Sequence, residues 1–392
     1  MPEKQRAFEI PRKTCRLFGV VKALGTMRKC AILVHGPRGC VYHINYILGM
    51  RGDRPSAIYT TALDERGVIF GSERELVRAI EEIDRTIKPE LIAVLSCCAS
   101  SIIGEDVEQA AKEARTTARV ISFEAGGFEG DFRTGYSAVL SRIAEEIARE
   151  PERIDPRAVN LLGLLRAGPD LRELKELMAL LGLRVNAVLT AGSTRGEMER
   201  LGEAALNVVV CETAGREAAE TLRRRFGTPF IAMEFPIGYR ATRQFLRRVA
   251  DTLGIEAPDL PDEEPEADVD LSGTRIAVVG GPTRTLAMCR FLKELRGSPV
   301  LVVLDSAPTE EAMDEMRSLA GKVLLEPGQQ EIVDALGEEK IDLLIGGMLE
   351  KPLAALLKIP HIDIMHGSQK TVGLRGLKNL LSLLSEQRKR EG

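Results

Sequence analysis

Three cysteines in the first quarter of this 392-residue chain occupy one kind of place. Cys15 lies in Thr14-Cys15-Arg16-Leu17-Phe18-Gly19. Cys40 closes His35-Gly36-Pro37-Arg38-Gly39-Cys40, directly after the apolar run 31–34. Cys98 follows the apolar run 91–95 and precedes Ser101-Ile102-Ile103-Gly104-Glu105-Asp106. Each thiol stands where a loop feeds the start of a predicted helix, two of them just after a predicted strand. The positive end of a helix favours an anion, so these thiols are expected to ionise more easily than free cysteine. Thiolates so placed are ligands for an iron–sulfur cluster. Taken singly, each could instead be a small buried hydrophobe, a common fate of free cysteine. Zinc fits less well, because the CxxC and HxxxH pairs of zinc sites are absent.

The elements that must position these thiols read as α/β. Short apolar runs rich in β-branched residues, at 30–34, 91–95, 118–123, 185–189, 206–210, 275–279, 299–304, 342–345 and 360–364, alternate with amphipathic stretches such as 73–87 and 105–115. That alternation predicts βαβ units and doubly wound parallel sheets of the Rossmann-like kind, where ligands gather at the carboxyl ends of strands. Pro151-Glu152-Arg153-Ile154-Asp155-Pro156 reads as one boundary. The stretch 257–271, with its prolines and carboxylates, reads as an acidic linker. Three α/β domains are therefore expected: residues 1–155 carrying the cluster cysteines, 156–256, and 272–392.

Composition limits the function classes. A net charge of −4 offers no basic face to nucleic acid. No apolar run approaches the ~20 residues of a membrane span, and no apolar signal region follows the N-terminus. The expectation is a cytoplasmic protein. Its odd count of seven cysteines lacks the dense spacing of a disulfide scaffold, so metal binding or catalysis is the better reading for some of them.

The thiol motifs also carry a resemblance. His35-Gly36-Pro37-Arg38-Gly39-Cys40, Ile103-Gly104-Glu105-Asp106, Thr60-Thr61-Ala62-Leu63-Asp64-Glu65 and Val68-Ile69-Phe70-Gly71 resemble the N-terminal domain of the nitrogenase component 1 superfamily, as do the separations of 25 and 58 residues between the three cysteines. The register to Gly104 selects Cys98 over Cys97. The resemblance implies that Cys15, Cys40 and Cys98 hold an iron–sulfur cluster, 4Fe–4S or larger, shared at a dimer interface. Three thiolates do not complete a cluster that takes four. A homologous or identical subunit, in a dimer or heterotetramer, is then required. The resemblance further implies one-electron delivery by a separate ATP-hydrolysing iron protein, and the chain itself lacks a Walker-type phosphate loop.

Two further residues fall, by the same resemblance, on ligands of a second metal–sulfur cofactor. Cys211 ends the apolar run 206–210, and His366 lies in His361-Ile362-Asp363-Ile364-Met365-His366-Gly367-Ser368. Each could equally be a buried polar residue at a strand end. Gly127-Phe128-Glu129-Gly130 leads to Gly135-Tyr136-Ser137 without the histidines of the dinitrogen-reducing enzymes, which argues against nitrogen fixation itself. The reading is a nitrogenase-like reductase subunit. Its alternatives are a tetrapyrrole reductase similar to the nickel-sirohydrochlorin a,c-diamide reductive cyclase, an assembly scaffold for a nitrogenase cofactor, and a cluster-free binding protein. Arg284 and the run Arg223-Arg224-Arg225 read as solvated helix positions.

Overall fold

The computed structural model describes residues 12–50, 57–261, 269–365 and 369–391. The strands fall in three sheets, and every pairing within them is parallel. The first contains β1 (Cys30–His35), β2 (Ile58–Thr60), β3 (Leu91–Ser96) and β4 (Arg119–Phe123) in the order β2-β1-β3-β4. The second contains β5 (Asp155–Leu164), β6 (Arg184–Thr190), β7 (Ala204–Val209) and β8 (Phe230–Ala232) in the order β6-β5-β7-β8. The third contains β9 (Arg275–Gly280), β10 (Ser298–Leu304), β11 (Lys322–Leu325), β12 (Leu343–Gly346) and β13 (His361–Asp363) in the order β11-β10-β9-β12-β13. The inner strands β1 and β3 are aliphatic and buried on both faces, as parallel strands covered by helices must be.

Three strands were not among the apolar runs read from the sequence. β2 and β8 are three-residue edge strands, and β11 is a half-exposed edge strand. β5 opens on Asp155-Pro156-Arg157, at the boundary read from the sequence, and continues into the apolar run that follows it; its proline sits at the strand start, where a ladder bond is dispensable.

The chain forms two compact units. One comprises residues 15–234 and 244–259 and contains the first two sheets. Inside it, helix Phe132–Glu146 packs on both Arg16–Leu24 and Glu212–Phe226. The first contact is backbone against backbone: a Cβ on Gly135 would lie 2.2 Å from the Arg16 carbonyl oxygen, and one on Gly19 would lie 2.0 Å from that of Phe132. The chain entering these helices is tied as well. The Arg16 amide donates to the Gly130 carbonyl at 3.0 Å, Cys15 bridges Asp131, and the Asp131 carboxylate caps its helix through the Thr134 amide at 2.9 Å.

At the opposite, amino-terminal end of the first sheet, helix Glu73–Ile87 presents the buried Asp84. Its carboxylate accepts the amides of Thr117 and Ala118, each at 2.9 Å, and the Thr117 hydroxyl. The Thr117 amide is the main cause that holds this carboxyl below the ordinary range, against the opposing effect of burial.

The other unit holds the third sheet. There Arg284 is not a solvated helix residue: its guanidinium stacks 4.3 Å over Phe235 and bonds the Thr371 hydroxyl. Arg225 likewise departs from a solvated reading, because it donates to the Ala148 carbonyl at 3.1 Å and also to that of Ala144. Within the acidic stretch, residues 262–268 lie outside the described residues, and Leu271 is buried with its amide bonded to Leu295.

Two outcomes test this account. Gly135→Ala is expected to destabilise the protein by about 1–3 kcal/mol through overpacking. Gly337→Ala, where nothing lies within 4 Å of the added carbon, is expected to be neutral or slightly stabilising by chemical denaturation. Because the folded pKa of Asp84 is depressed, its contribution is present above the unfolded carboxyl value of ~3.9 and is lost as pH falls through the folded value. Asp84→Asn is expected to lower stability at neutral pH, by a gap that closes in acid; a gap independent of pH in denaturation curves would refute the assignment.

Candidate metal centre

The site begins with strand order. β1 connects to β2 on one side, then the chain crosses to β3 on the other, so the loops leaving β1 and β3 diverge at neighbouring strand ends. A reversal of this kind opens a crevice at the carboxyl ends of the strands. The last register pair there is His35 with Ser96. After His35 the chain turns through Gly36-Pro37 into helix Arg38–Met50, with Cys40 in its first turn. After Ser96 it passes Cys97 and enters the short helix Cys98–Ile102.

Cys15 arrives from outside this sheet. It is the N-cap of helix Arg16–Leu24 and reaches the crevice because the bridge to Asp131 ties it to the loop 127–131. That loop is the wedge between two thiols: the Gly127 amide donates to Cys98 Sγ at 3.0 Å, and a Cβ on Gly127 would lie 3.1 Å from that sulfur and 3.4 Å from Cys15 Cβ. Cys40 feels the charges of Cys15, Cys97 and Cys98. Gly127 thus lies against both Cys15 and Cys98, and Cys40 hydrogen-bonds Cys97, the neighbour of Cys98. Cys15 and Cys98 are exposed, Cys40 is half-buried, and Cys97 is 1% exposed.

Among the described residues no three His, Cys, Asp or Glu side chains converge as ligands of a single ion. The donor set therefore does not have the closed geometry of a structural zinc site. It fits a multinuclear iron–sulfur group, in which separate irons take separate thiolates and backbone amides donate to sulfur, as Gly127 does.

The electrostatics correct one expectation. Cys40, in a first helical turn, was expected to ionise easily, yet its pKa is raised. The first cause is its hydrogen bond to Cys97, followed by burial and the nearby Cys97, Cys98 and Cys15. The Cys97 contact and burial outweigh the helix. The favoured thiolate of the pair is Cys97, pulled down to about 5, first by the Cys40 thiol and then by the Ser100 amide and hydroxyl and the Ala99 amide, against burial. Cys30 and Cys289 are each pushed up to about 12 by burial.

A polar cluster that sequence reasoning quoted only as motif fragments lies behind Cys40. His35, 0% exposed, meets Thr61 Oγ1 through Nδ1 at 2.9 Å and Glu105 Oε2 through Nε2 at 3.1 Å. Glu105 Oε1 accepts the Ser72 amide at 2.6 Å and the Ser72 hydroxyl at 3.2 Å. The Gly36 amide donates to Thr61 Oγ1 at 3.3 Å, and the Thr60 hydroxyl donates to the Gly36 carbonyl at 2.7 Å. Spacing alone could not reveal this cluster, since its members come from four different loops. The co-occurrence of His35-Gly36, Thr60-Thr61, Gly71-Ser72 and Gly104-Glu105 was the available signal.

Cys211 occupies the corresponding place in the second sheet, where the order reverses between β5 and β7. It caps helix Glu212–Phe226, half-buried, with Sγ 3.3 Å from Thr213 Oγ1. β5 makes room with Gly163 at φ +83°, where a Cβ would lie 2.7 Å from the Cys211 carbonyl oxygen. His366 lies outside the described residues.

Differential alkylation checks the thiol ranking. In the metal-free chain, Cys15 and Cys98 are expected to label first with iodoacetamide and Cys289 to stay unlabelled until denaturation. Early labelling of Cys289, read by peptide mass spectrometry, would contradict the burial described here.

Known proteins share the family pattern and the fold. Residues 15–387 match the family described as nitrogenase component 1 type oxidoreductase. The nitrogenase iron-molybdenum cofactor biosynthesis protein NifE of Clostridium pasteurianum is 28% identical, covering 96% of this chain and 87% of that protein. The NifE of Methanococcus maripaludis is 27% identical, covering 91% and 79%. The nitrogenase molybdenum-iron protein beta chain of Methanothermobacter marburgensis is 26% identical, covering 97% and 94%. A solved structure of nitrogenase Cp1 at pH 6.5 shares the fold, with a TM-score of 0.85 at 20% identity over 100% of this chain and 95% of that one. Among the described residues no helix is long and apolar enough to cross a membrane.

Proposed function

We propose, since the chain belongs to the nitrogenase component 1 type oxidoreductase family, that it is a subunit of a nitrogenase-like component 1 in which Cys15, Cys40 and Cys98 hold an iron–sulfur cluster. The observation that supports this reading is that Cys40 and Cys98 follow the two strands at the strand-order reversal of one parallel sheet, with Gly127 lying against both Cys98 and Cys15. Such a cluster supplies one-electron transfer at low potential. This chain contributes the thiolates, the Gly127 amide that donates to one of them, and the rigid helix starts that aim them.

Two features support a second subunit at the site. Three thiols leave a four-iron cluster one ligand short. Exposed large apolar residues stand on the same loops and helices: Tyr42, Ile102 and Phe128. Exposed apolar groups in such number mark a surface that another protein covers. A separate ATP-hydrolysing iron protein is the electron donor in this reading, because the sequence has no phosphate loop of its own.

The substrate end of the reading rests on Cys211, a soft ligand at the reversal of the second sheet; His366, the second ligand implied by the resemblance, lies outside the described residues. A second reading, a scaffold on which a metal–sulfur cofactor is built, is favoured by the two biosynthesis proteins among the relatives. It uses the same thiols without turnover.

Anaerobic purification followed by iron and sulfide analysis tests both. About four irons per pair of chains are expected, and Cys15→Ala/Cys40→Ala/Cys98→Ala is expected to remove them. Iron that survives this triple substitution would refute the cluster assignment. A larger metal load that falls with Cys211→Ala supports a second cofactor. Reductase and scaffold readings then part on whether the loaded protein turns over electrons supplied by an ATP-driven donor.

A further inference from the structure

We infer that Glu105 and His35 are positioning residues for the thiol set: one buried carboxylate–imidazole pair sets the spacing between the loop that carries Cys40 and the loop that follows the Cys98 helix. The inference rests on the proposed cluster assignment and adds to it residues that touch no thiol.

The geometry is specific. His35 ends β1, and the next residue begins the turn into the Cys40 helix. Glu105 lies two residues beyond the end of the Cys98–Ile102 segment and its cap Ile103, and the Glu105 amide bonds back to the Ser100 carbonyl at 3.1 Å. The 3.1 Å contact between His35 Nε2 and Glu105 Oε2 therefore joins the two cysteine segments directly. Both side chains are removed from water, at 0% and 3% exposure. A buried polar group left without its partner is costly, so each holds the other in place.

The pair is also braced at both ends. Thr61 fixes the imidazole from the Nδ1 side and reaches the Gly36 amide with the same oxygen. Ser72 holds the other carboxylate oxygen with its amide and hydroxyl. Gly36 cannot move independently, since a Cβ there would lie 2.4 Å from Cys97 Sγ and its carbonyl accepts both Thr60 Oγ1 and the Leu63 amide. Strand ends have no ladder bonds of their own. The crevice loops are thus held by this cluster, and a shift of about 1 Å in a supporting shell is enough to spoil a metal site.

Asp84 supplies an internal control. It is a buried carboxylate of the same unit, bonded to backbone amides at the other end of the sheet. Wild type, Glu105→Ala, Glu105→Gln, Thr61→Val and Asp84→Asn are reconstituted anaerobically as full chains with ferrous iron and sulfide. Iron per chain, the EPR line shape of the reduced protein and Tm are then measured. Glu105→Ala is expected to retain half or less of the wild-type iron and to show an altered line shape. Glu105→Gln can still accept the Ser72 amide and donate to the imidazole, so it is expected to keep most of the iron. Thr61→Val, nearly isosteric, is expected to lose iron in the same direction, and it carries the test if Glu105→Ala does not fold. Asp84→Asn is expected to lower Tm without changing iron or line shape.

Wild-type iron and line shape in Glu105→Ala, or in Thr61→Val where Glu105→Ala is unfolded, overturns the inference. So does iron loss in Asp84→Asn matching that of Glu105→Ala at equal Tm. Iron kept by the triple cysteine variant overturns the cluster assignment and the inference with it, whereas iron lost by the triple variant but kept by Glu105→Ala overturns the inference alone.

Discussion

The structure depends on one topological constraint, the reversal of strand order inside each parallel sheet. Where the chain leaves two neighbouring strands in opposite directions, the helices that follow cannot close over the strand ends. The backbone there is left as paired loops facing an open crevice. In the first sheet those loops follow β1 and β3 and bring Cys40 and Cys98 to neighbouring positions. In the second sheet the reversal lies between β5 and β7, with Cys211 just beyond β7 and Gly163 on β5 giving way to it. The third sheet repeats the plan, and Gly280 and Gly346 end the strands β9 and β12 on either side of its reversal. One architectural rule thus places every described candidate ligand but Cys15.

Cys15 shows what the sheet alone cannot do. It belongs to no strand end and reaches the crevice through helix packing. Helix Arg16–Leu24 approaches helix Phe132–Glu146 so closely that glycine is required on both, and this contact delivers Cys15 to the loop containing Gly127. The electrostatic consequence falls on Cys40, whose pKa is raised first by its hydrogen bond to Cys97, then by burial and the nearby sulfurs. In the proposed cluster assignment metal binding is coupled to release of the Cys40 proton, since the thiolate and not the thiol is the ligand.

Much of this was legible in the sequence because its signals were local. Apolar runs bounded by turns marked the inner strands, and each cysteine could be assigned to a loop-to-helix junction from its immediate neighbours. Short edge strands were missed, since three residues such as Ile58–Thr60 carry no period. The Arg284 reading failed for a different reason: whether a guanidinium meets solvent or an aromatic face is decided by Phe235, far away in the chain. The raised pKa of Cys40 was hidden for the same reason. A helix start can be read from adjacent residues, while three sulfurs brought together by tertiary structure cannot.

The polar cluster around Glu105 explains why four separated motifs occur together. A parallel sheet satisfies its backbone through the ladder, and that satisfaction stops where the strands stop. Beyond β1 and β3 the loops need other partners, and an apolar core cannot supply hydrogen bonds to them. A carboxylate with two oxygens and an imidazole with two nitrogens can join several segments at one buried point, provided each atom is matched. Here Oε1 takes Ser72, Oε2 takes one imidazole nitrogen, and Thr61 takes the other. Losing any one member strands the rest in a medium without water. That interdependence converts weak individual bonds into a fixed geometry, which flexible loops need before they can present several thiols to one cluster.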